Sequence, residues 1–261
     1  MTTFDDKLAR LLVQEHAAGT RFHPLGPETG VTDLASAYAV QRRYVALMSE
    51  SAGATAGYKI GLTSARMQKM CGIDQPVAGV VLASRVMQSG VVLQARRYHH
   101  MGLEFEVGVR LGRELPRSEA PFTKERVAQA IDGVCAAVEV VDDRNADYAT
   151  LEALSLIADN SWNAGAVLGA FSKSWDNLEA ATGIVTLNGQ EIDRGYGRDV
   201  LGHPFVPLTW LANHLAETGG ALRAGDVVLT GSLIPTRFPK EPGAFRYELS
   251  GIGTVELTVE F

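Results

Sequence analysis

The sequence predicts an α+β protein, with an N-terminal helical segment over 1–56 followed by one mixed-sheet unit over 57–261. Three observations carry this prediction. Apolar residues recur at helical spacing near the N-terminus, and short β-rich runs dominate from Gly79 onward. Strands and helices alternate irregularly, and no GxGxxG or GxxxxGK loop opens a helix, which argues against a Rossmann-type nucleotide site.

The elements follow in order. Phe4, Leu8, Leu11 and Leu12 share a helical stripe, and Gly19 is a plausible stop. Leu25-Gly26-Pro27 and Thr29-Gly30 read as loop. A second helix begins near Thr32-Asp33, with Thr32 as the expected cap. Leu34, Tyr38, Val45 and Met48 form its stripe, and it ends near Gly53. The stretch 58–62 is strand-like, and 64–70 gives one or two helical turns. Strands are expected at 79–82, 91–93, 103–111, 134–141, 164–168, 184–187, 226–229 and within 244–261. Asn188-Gly189 between two β-rich triplets is a hairpin signal, and Ser250-Gly251-Ile252-Gly253 marks a further turn. Helices fill 124–131, 151–158 and 206–217.

Composition narrows the function classes. The 261 residues, 46% hydrophobic and 21% charged, suffice for a sizeable core. No apolar run reaches membrane-spanning length, and Met1 to Arg10, carrying Asp5 and Asp6, lacks a signal-peptide pattern. Cys71 and Cys135 make neither a disulfide framework nor a zinc-type pair, so a reducing cytoplasm is expected. The net charge of −6, without a strong basic cluster, argues against a nucleic-acid partner. An anionic small molecule remains open, and it needs a local cation or metal to hold it.

The most informative stretch alternates strictly. Leu103, Phe105, Val107, Val109 and Leu111 share one strand face, and Glu104, Glu106, Gly108 and Arg110 share the other. The two glutamates lie roughly 7 Å apart at their Cα atoms and can converge on one ion. A half-exposed strand with a solvated acidic face gives the same pattern. Glu139 interrupts a run, 133–141, that is apolar on both faces. A lone buried carboxylate is costly unless it binds a metal or pairs with a buried Arg or Lys, and both alternatives stand. Three glutamates without matching histidine or cysteine suit a hard cation, Mg²⁺ or Mn²⁺, better than zinc.

Lys59 lies between apolar residues and close to Gly57 and Gly61. Partly buried, it is expected to have a lowered pKa and to shuttle protons; an edge-strand surface lysine is the alternative. Glycines there permit close backbone approach to a ligand, so Gly61, Leu62 and Thr63 are candidate substrate-binding residues. Ser161, in the polar turn 160–165, and Ser232, ending a strand after Thr230-Gly231, are further candidates. His203 reads equally as a packing or capping residue and as a catalytic one. Of the adjacent His99 and His100, at most one points inward from a strand.

Gly57-Tyr58-Lys59-Ile60-Gly61-Leu62-Thr63-Ser64, Glu104-Phe105-Glu106, Val138-Glu139-Val140-Val141-Asp142 and Ala158-Asp159-Asn160 occur in this order. Val200-Leu201-Gly202-His203-Pro204, Trp210-Leu211-Ala212-Asn213 and Thr230-Gly231-Ser232 follow. The set resembles the 2-hydroxypenta-2,4-dienoate hydratase and 4-oxalocrotonate decarboxylase branch of the fumarylacetoacetase-like superfamily, over about 32–261. The resemblance implies a mixed-sheet, partly barrel-like fold, and Mg²⁺ or Mn²⁺ held at the positions of Glu104, Glu106 and Glu139. It also implies an active-site lysine at Lys59, a homo-oligomer, and a lyase acting on small 2-oxo or 2-hydroxy-dienoic acids of aromatic catabolism. Hydratases of this branch usually carry an acid/base aspartate where Val77 stands. Decarboxylases tend to an apolar residue there and place a histidine at the position of His100, which makes His100 a catalytic candidate. A hydratase is the first expectation, a 2-oxo dicarboxylate decarboxylase the second, and a non-catalytic binding protein on the same fold the third.

Overall fold

A computed structural model describes residues 3–261. Met1 and Thr2, which open the stretch read as lacking a signal sequence, lie outside the described residues. Helix α1 (Phe4–Ala18) ends where Gly19 turns left-handed at φ 68° and its N–H closes on the Glu15 and His16 carbonyls. Helix α2 (Leu34–Ala52) is capped by Asp33, not Thr32. The Asp33 carboxylate accepts from Ser36 N at 2.8 Å and the Ser36 hydroxyl accepts from Asp33 N at 3.1 Å. This reciprocal box needs a polar pair three residues apart immediately before the helix, and Thr32 stands one residue too early. The two helices pack on each other, and α2 also packs on the later helix at 153–158.

The remaining elements run β1 (Thr55–Gly61), α3 (Ala65–Met70), β2 (Val77–Leu82), β3 (Val86–Gln88), β4 (Val91–Gln94) and β5 (Met101–Leu111). Then come α4 (Lys124–Ala128), β6 (Ile131–Asp142), α5 (Ala153–Ala158), β7 (Asn163–Leu168), β8 (Thr182–Leu187) and β9 (Gln190–Tyr196). The chain closes with α6 (Phe205–Glu217), β10 (Val227–Ser232), β11 (Gly243–Leu249) and β12 (Gly253–Glu260). Asn188-Gly189 makes the expected hairpin between β8 and β9. Two expectations need adjusting. Helix α4 stops at Ala128 because Ile131 pairs opposite Leu111 and the chain is already extended there. β3 was not anticipated; its three residues are too few for periodicity, and parallel pairing with β7 holds it.

A seven-stranded sheet has the order β2-β1-β10-β5-β6-β7-β3, and a five-stranded sheet the order β4-β12-β11-β8-β9. Both ladders are open. The larger sheet nevertheless curls. Val81 of β2 packs in one small apolar cluster with Ala166 and Leu168 of β7, five strands away in the order. That curl is the extent of the barrel-like character. The main core lies on the convex side, where Leu103, Phe105, Val107, Val134, Val138 and Val140 are all nearly fully buried. Each such side chain stabilises the fold by about 1.5–3 kcal/mol. The inner face carries Glu104, Glu106 and Glu139.

Candidate active site

Pairing of β5 with β6 sets Glu104 directly opposite Glu139, and Glu106 follows two residues along the same face. One carboxylate oxygen from each lies within 4.8 Å of the others. Like charges opposed across a ladder destabilise a sheet, so the arrangement calls for a positive charge. Glu106 and Glu139 are fully buried and Glu104 is half-buried, which removes the solvated-face alternative.

The hydrogen bonds leave specific gaps. Glu106 Oε2 accepts from Gly231 N at 2.6 Å, Glu139 Oε1 from Asn163 Nδ2 at 2.9 Å, and Glu104 Oε1 from Thr236 Oγ1 at 2.6 Å. Glu106 Oε1 and Glu139 Oε2 are buried without any hydrogen-bond partner. Lys59 Nζ stands 3.3 Å from Glu139 Oε2, an ion pair off hydrogen-bond geometry, and donates to Ser161 O at 3.2 Å. Glu139 therefore has the buried cationic partner that was one alternative, and it also lies in a carboxylate group that could hold a metal ion. Three carboxylates facing one ammonium leave a formal excess of two negative charges, which a divalent cation would neutralise.

Electrostatics follow from this crowding. Burial, then the Glu139 and Glu104 carboxylates, push Glu106 well above the usual carboxylate range. Burial pushes Glu139 up to about 7, with Lys59 pulling the other way. Burial alone would lower Lys59, but Glu139, Glu104 and Glu106 outweigh it and hold the ammonium above the ordinary lysine value. The lowered pKa expected from sequence is thus corrected: desolvation acts as anticipated, and the three facing carboxylates reverse its sign.

A strained turn positions the lysine. Asn160, Ser161 and Trp162 are left-handed at φ 50°, 49° and 60°, each at a cost of order 1–3 kcal/mol. The Asn160 amide holds the turn by pairing with Val80 N and O at 2.7 and 2.9 Å. Behind it, Asp159 bonds Arg144 at 2.7 Å and His16 at 2.6 Å. A Cβ on Gly79 would lie 2.8 Å from Asn160 O and 3.0 Å from Lys59 Cγ, so glycine leaves the room that lysine and turn occupy.

A cavity of about 640 Å³ opens over this cluster. Lys59, Gly61, Leu62, Thr63, Ser161 and Ser232 all line it, as does Glu104, so those sequence-predicted residues come together. Their roles differ from expectation in detail. The Ser161 hydroxyl bonds Ala78 O while its carbonyl holds Lys59, and the Ser232 hydroxyl bonds Ile234 O at 2.6 Å. His100 is not among the lining residues. It stacks on Phe238, which is, with ring centroids 4.4 Å apart. His203 caps α6 by accepting from Phe205 N. Sequence reasoning missed Thr236, Tyr148, Trp162 and Phe238 as site residues. Of these only Trp162 carried a signal, lying in the polar turn before β7.

Gly231 is a tight point beside the cluster. At φ 112° it donates to Glu106, and a Cβ would sit 2.2 Å from Thr63 Oγ1. Gly231→Ala is expected to destabilise the fold by about 1–3 kcal/mol and weaken turnover, as read by melting and steady-state kinetics. An unchanged melting temperature would contradict this geometry.

Residues 52–260 match the Fumarylacetoacetate (FAA) hydrolase C-terminal family. The chain is 33% identical over 253 residues to a 2-keto-4-pentenoate hydratase of Burkholderia vietnamiensis, covering 96% of this chain and 95% of that one. It is 31% identical over 236 residues to a 2-oxo-hept-4-ene-1,7-dioate hydratase of Escherichia coli, covering 88% and 86%. Among solved structures it is similar to the 4-oxalocrotonate decarboxylase from Pseudomonas putida G7 complexed with magnesium and adipate. There the TM-score is 0.89 at 25% identity, covering 98% of this chain and 97% of that one.

Proposed function

The chain belongs to the fumarylacetoacetate hydrolase family, and from that premise we propose that it is a divalent-metal-dependent lyase, a hydratase of 2-hydroxy-2,4-dienoate or 2-oxo-enoate acids. The observation that carries this reading is the pair of buried oxygens, Glu106 Oε1 and Glu139 Oε2, that lack a hydrogen bond in a three-carboxylate cluster with Lys59 as the neighbouring cation. Buried carboxylate oxygens without partners are costly, and a cation removes that cost, so the residues present fit the ion. Glu104, Glu106 and Glu139 would hold it, and their all-oxygen donor set suits Mg²⁺ or Mn²⁺. The ion supplies Lewis acidity toward negative charge developing on a 2-oxo acid.

The chain's own residues do the rest. Lys59, kept protonated by its three carboxylate neighbours, holds the proton that a dienolate carbon receives, and the Ser161 carbonyl fixes Nζ in place. Met67, Leu151, Leu156, Ile234 and Phe238 form an apolar wall that excludes bulk water and accepts the substrate's carbon chain. The catalytic unit is taken as 57–261, supported by the helices of 1–56 through the His16–Asp159 contact. A cytoplasmic homo-oligomer completes the proposal, in keeping with two buried free cysteines. No described helix is long and apolar enough to cross a membrane.

A second reading, decarboxylation of a 2-oxo dicarboxylate, is favoured by Val77. Its side chain is buried against Gly61, where a Cβ would lie 3.2 Å from Val77 Cγ2 and 3.4 Å from Lys59 Nζ. That position beside the lysine therefore offers no carboxylate. Product analysis with 2-hydroxypenta-2,4-dienoate and with a 2-oxo-enedioate separates the two. Water addition supports the hydratase, and CO₂ release without hydration replaces it. No turnover, with melting unmoved by chelator, would leave a binding protein.

Cation binding requires deprotonated carboxylates, so Mg²⁺ should raise the melting temperature strongly near pH 8.5 and little near pH 6. The sign follows from Glu139. Its folded value, about 7, exceeds its ordinary 4.5. In the metal-free protein its contribution is therefore fully present below 4.5 and lost as pH rises through about 7, and the ion restores it above that. A Mg²⁺ effect equal at both pH values would count against carboxylate ligation.

A further inference from the structure

Three side chains form a hydrogen-bonded line from the cavity to the surface. The Tyr148 hydroxyl donates to Asp143 Oδ2 at 3.1 Å, and Asp143 Oδ1 lies 2.7 Å from His100 Nδ1. Asn145 N also donates to Asp143 Oδ1 at 2.9 Å. Asp143 is fully buried, and among the described residues His100 is its ionic partner. The His100 side chain keeps 39% of its exposure, so the line reaches solvent. At the other end Tyr148 lines the cavity that holds Lys59 and Glu104. Its ring is fixed edge-on against Trp162 at 5.8 Å, and His100 is fixed by its stack on Phe238.

Depth orders the two polar groups. Lys59 is 4% exposed and Tyr148 is 36% exposed, so Tyr148 stands nearer the mouth. A dienoate whose carboxylate and 2-oxo oxygen met a cation held by Glu104, Glu106 and Glu139 would extend its remote carbons through the cavity that Tyr148 lines. We propose that Tyr148 is the base that activates the water added to the substrate, with Asp143 and His100 as the positioning residues that carry its proton away. The inference rests on the hydratase reading.

The polarity of the line matches this role. As water attacks C4 of the 2-oxo-3-enoate, its oxygen lone pair forms the C–O bond and the C3–C4 π pair moves toward the 2-oxo group. One water O–H bond breaks, and that proton passes to Tyr148 Oη while the phenol's own proton passes to Asp143 Oδ2. His100 relays one proton to solvent. C3 then takes a proton from Lys59, which recovers one from solvent, so the sum is addition of one water. The tyrosine hydroxyl is held neutral by burial and by the adjacent Asp143 carboxylate, as a proton-passing group in this chain must be.

Tyr148→Phe tests the assignment in the Mg²⁺-loaded enzyme with 2-hydroxypenta-2,4-dienoate. The variant is expected to keep ketonisation, seen as accumulation of unhydrated 2-oxopent-3-enoate, and to lose hydration about 100-fold with KM little changed. Asp143→Asn, which leaves the phenol in place, should show the same partition. An unchanged Mg²⁺-induced rise in melting temperature establishes that each variant is assembled. Hydration by Tyr148→Phe within about threefold of wild type would overturn the relay, and so would proportional loss of ketonisation and hydration. Wild-type CO₂ release without hydration would overturn the hydratase reading and the relay with it, an outcome visible before any variant is made.

Discussion

Glu106→Gln is expected to lose Mg²⁺ affinity and turnover by about 100-fold or more, while the metal-free variant melts at or above the metal-free wild type. The two halves have opposite signs for one reason. Glu106 is fully buried, held well above the ordinary carboxylate pKa by burial and by Glu139 and Glu104, and one of its oxygens has no partner. Without a cation its charge is a cost, and the amide removes it. The amide oxygen can still accept from Gly231 N, and the new amide N–H₂ meets the carboxylates it replaced a charge among. With a cation the same substitution deletes one of three anionic ligands. Calorimetric Mg²⁺ titration, kinetics and melting in chelator read all three quantities. Near-wild-type activity, or a metal-free variant that is much less stable, would sink the assignment of Glu106 as a ligand.

Lys59→Met is expected to lower turnover by roughly 10²–10⁴-fold, the usual worth of a positioned proton donor. It should also destabilise the metal-free protein by about 3–5 kcal/mol, because removing one partner strands the buried Glu139 carboxylate. Methionine keeps the stem that packs over Gly79, so lost volume is not the cause. Mg²⁺ affinity should hold or rise, since the ion then has no competing ammonium. Equal losses of turnover and metal affinity would argue against a proton-transfer role.

Much of this site was legible in the chain, and the legible part is local. Glu104 and Glu106 share a face because successive side chains alternate along any extended strand. Asn188-Gly189 turns because asparagine and glycine tolerate positive φ. Glu139 stood out because a charge interrupts a run apolar on both faces. The order of short motifs pointed to the family to which the chain belongs.

What the chain alone left open depends on which distant groups meet. The register of β5 on β6, which places Glu139 opposite Glu104, arises from a ladder of cross-strand bonds and not from either strand's own pattern. The same holds for Lys59. The sequence left it open between a partly buried residue and an edge-strand surface lysine; the fold buries it, and the direction of its pKa is decided by three carboxylates from two other strands. His100 was singled out by position, yet only packing shows it behind Phe238 and joined to the cavity through Asp143 and Tyr148. Covalent geometry fixes which way a side chain points along its own strand; only the folded chain fixes the charges and hydroxyls it points at, and the chemistry lies in those neighbours.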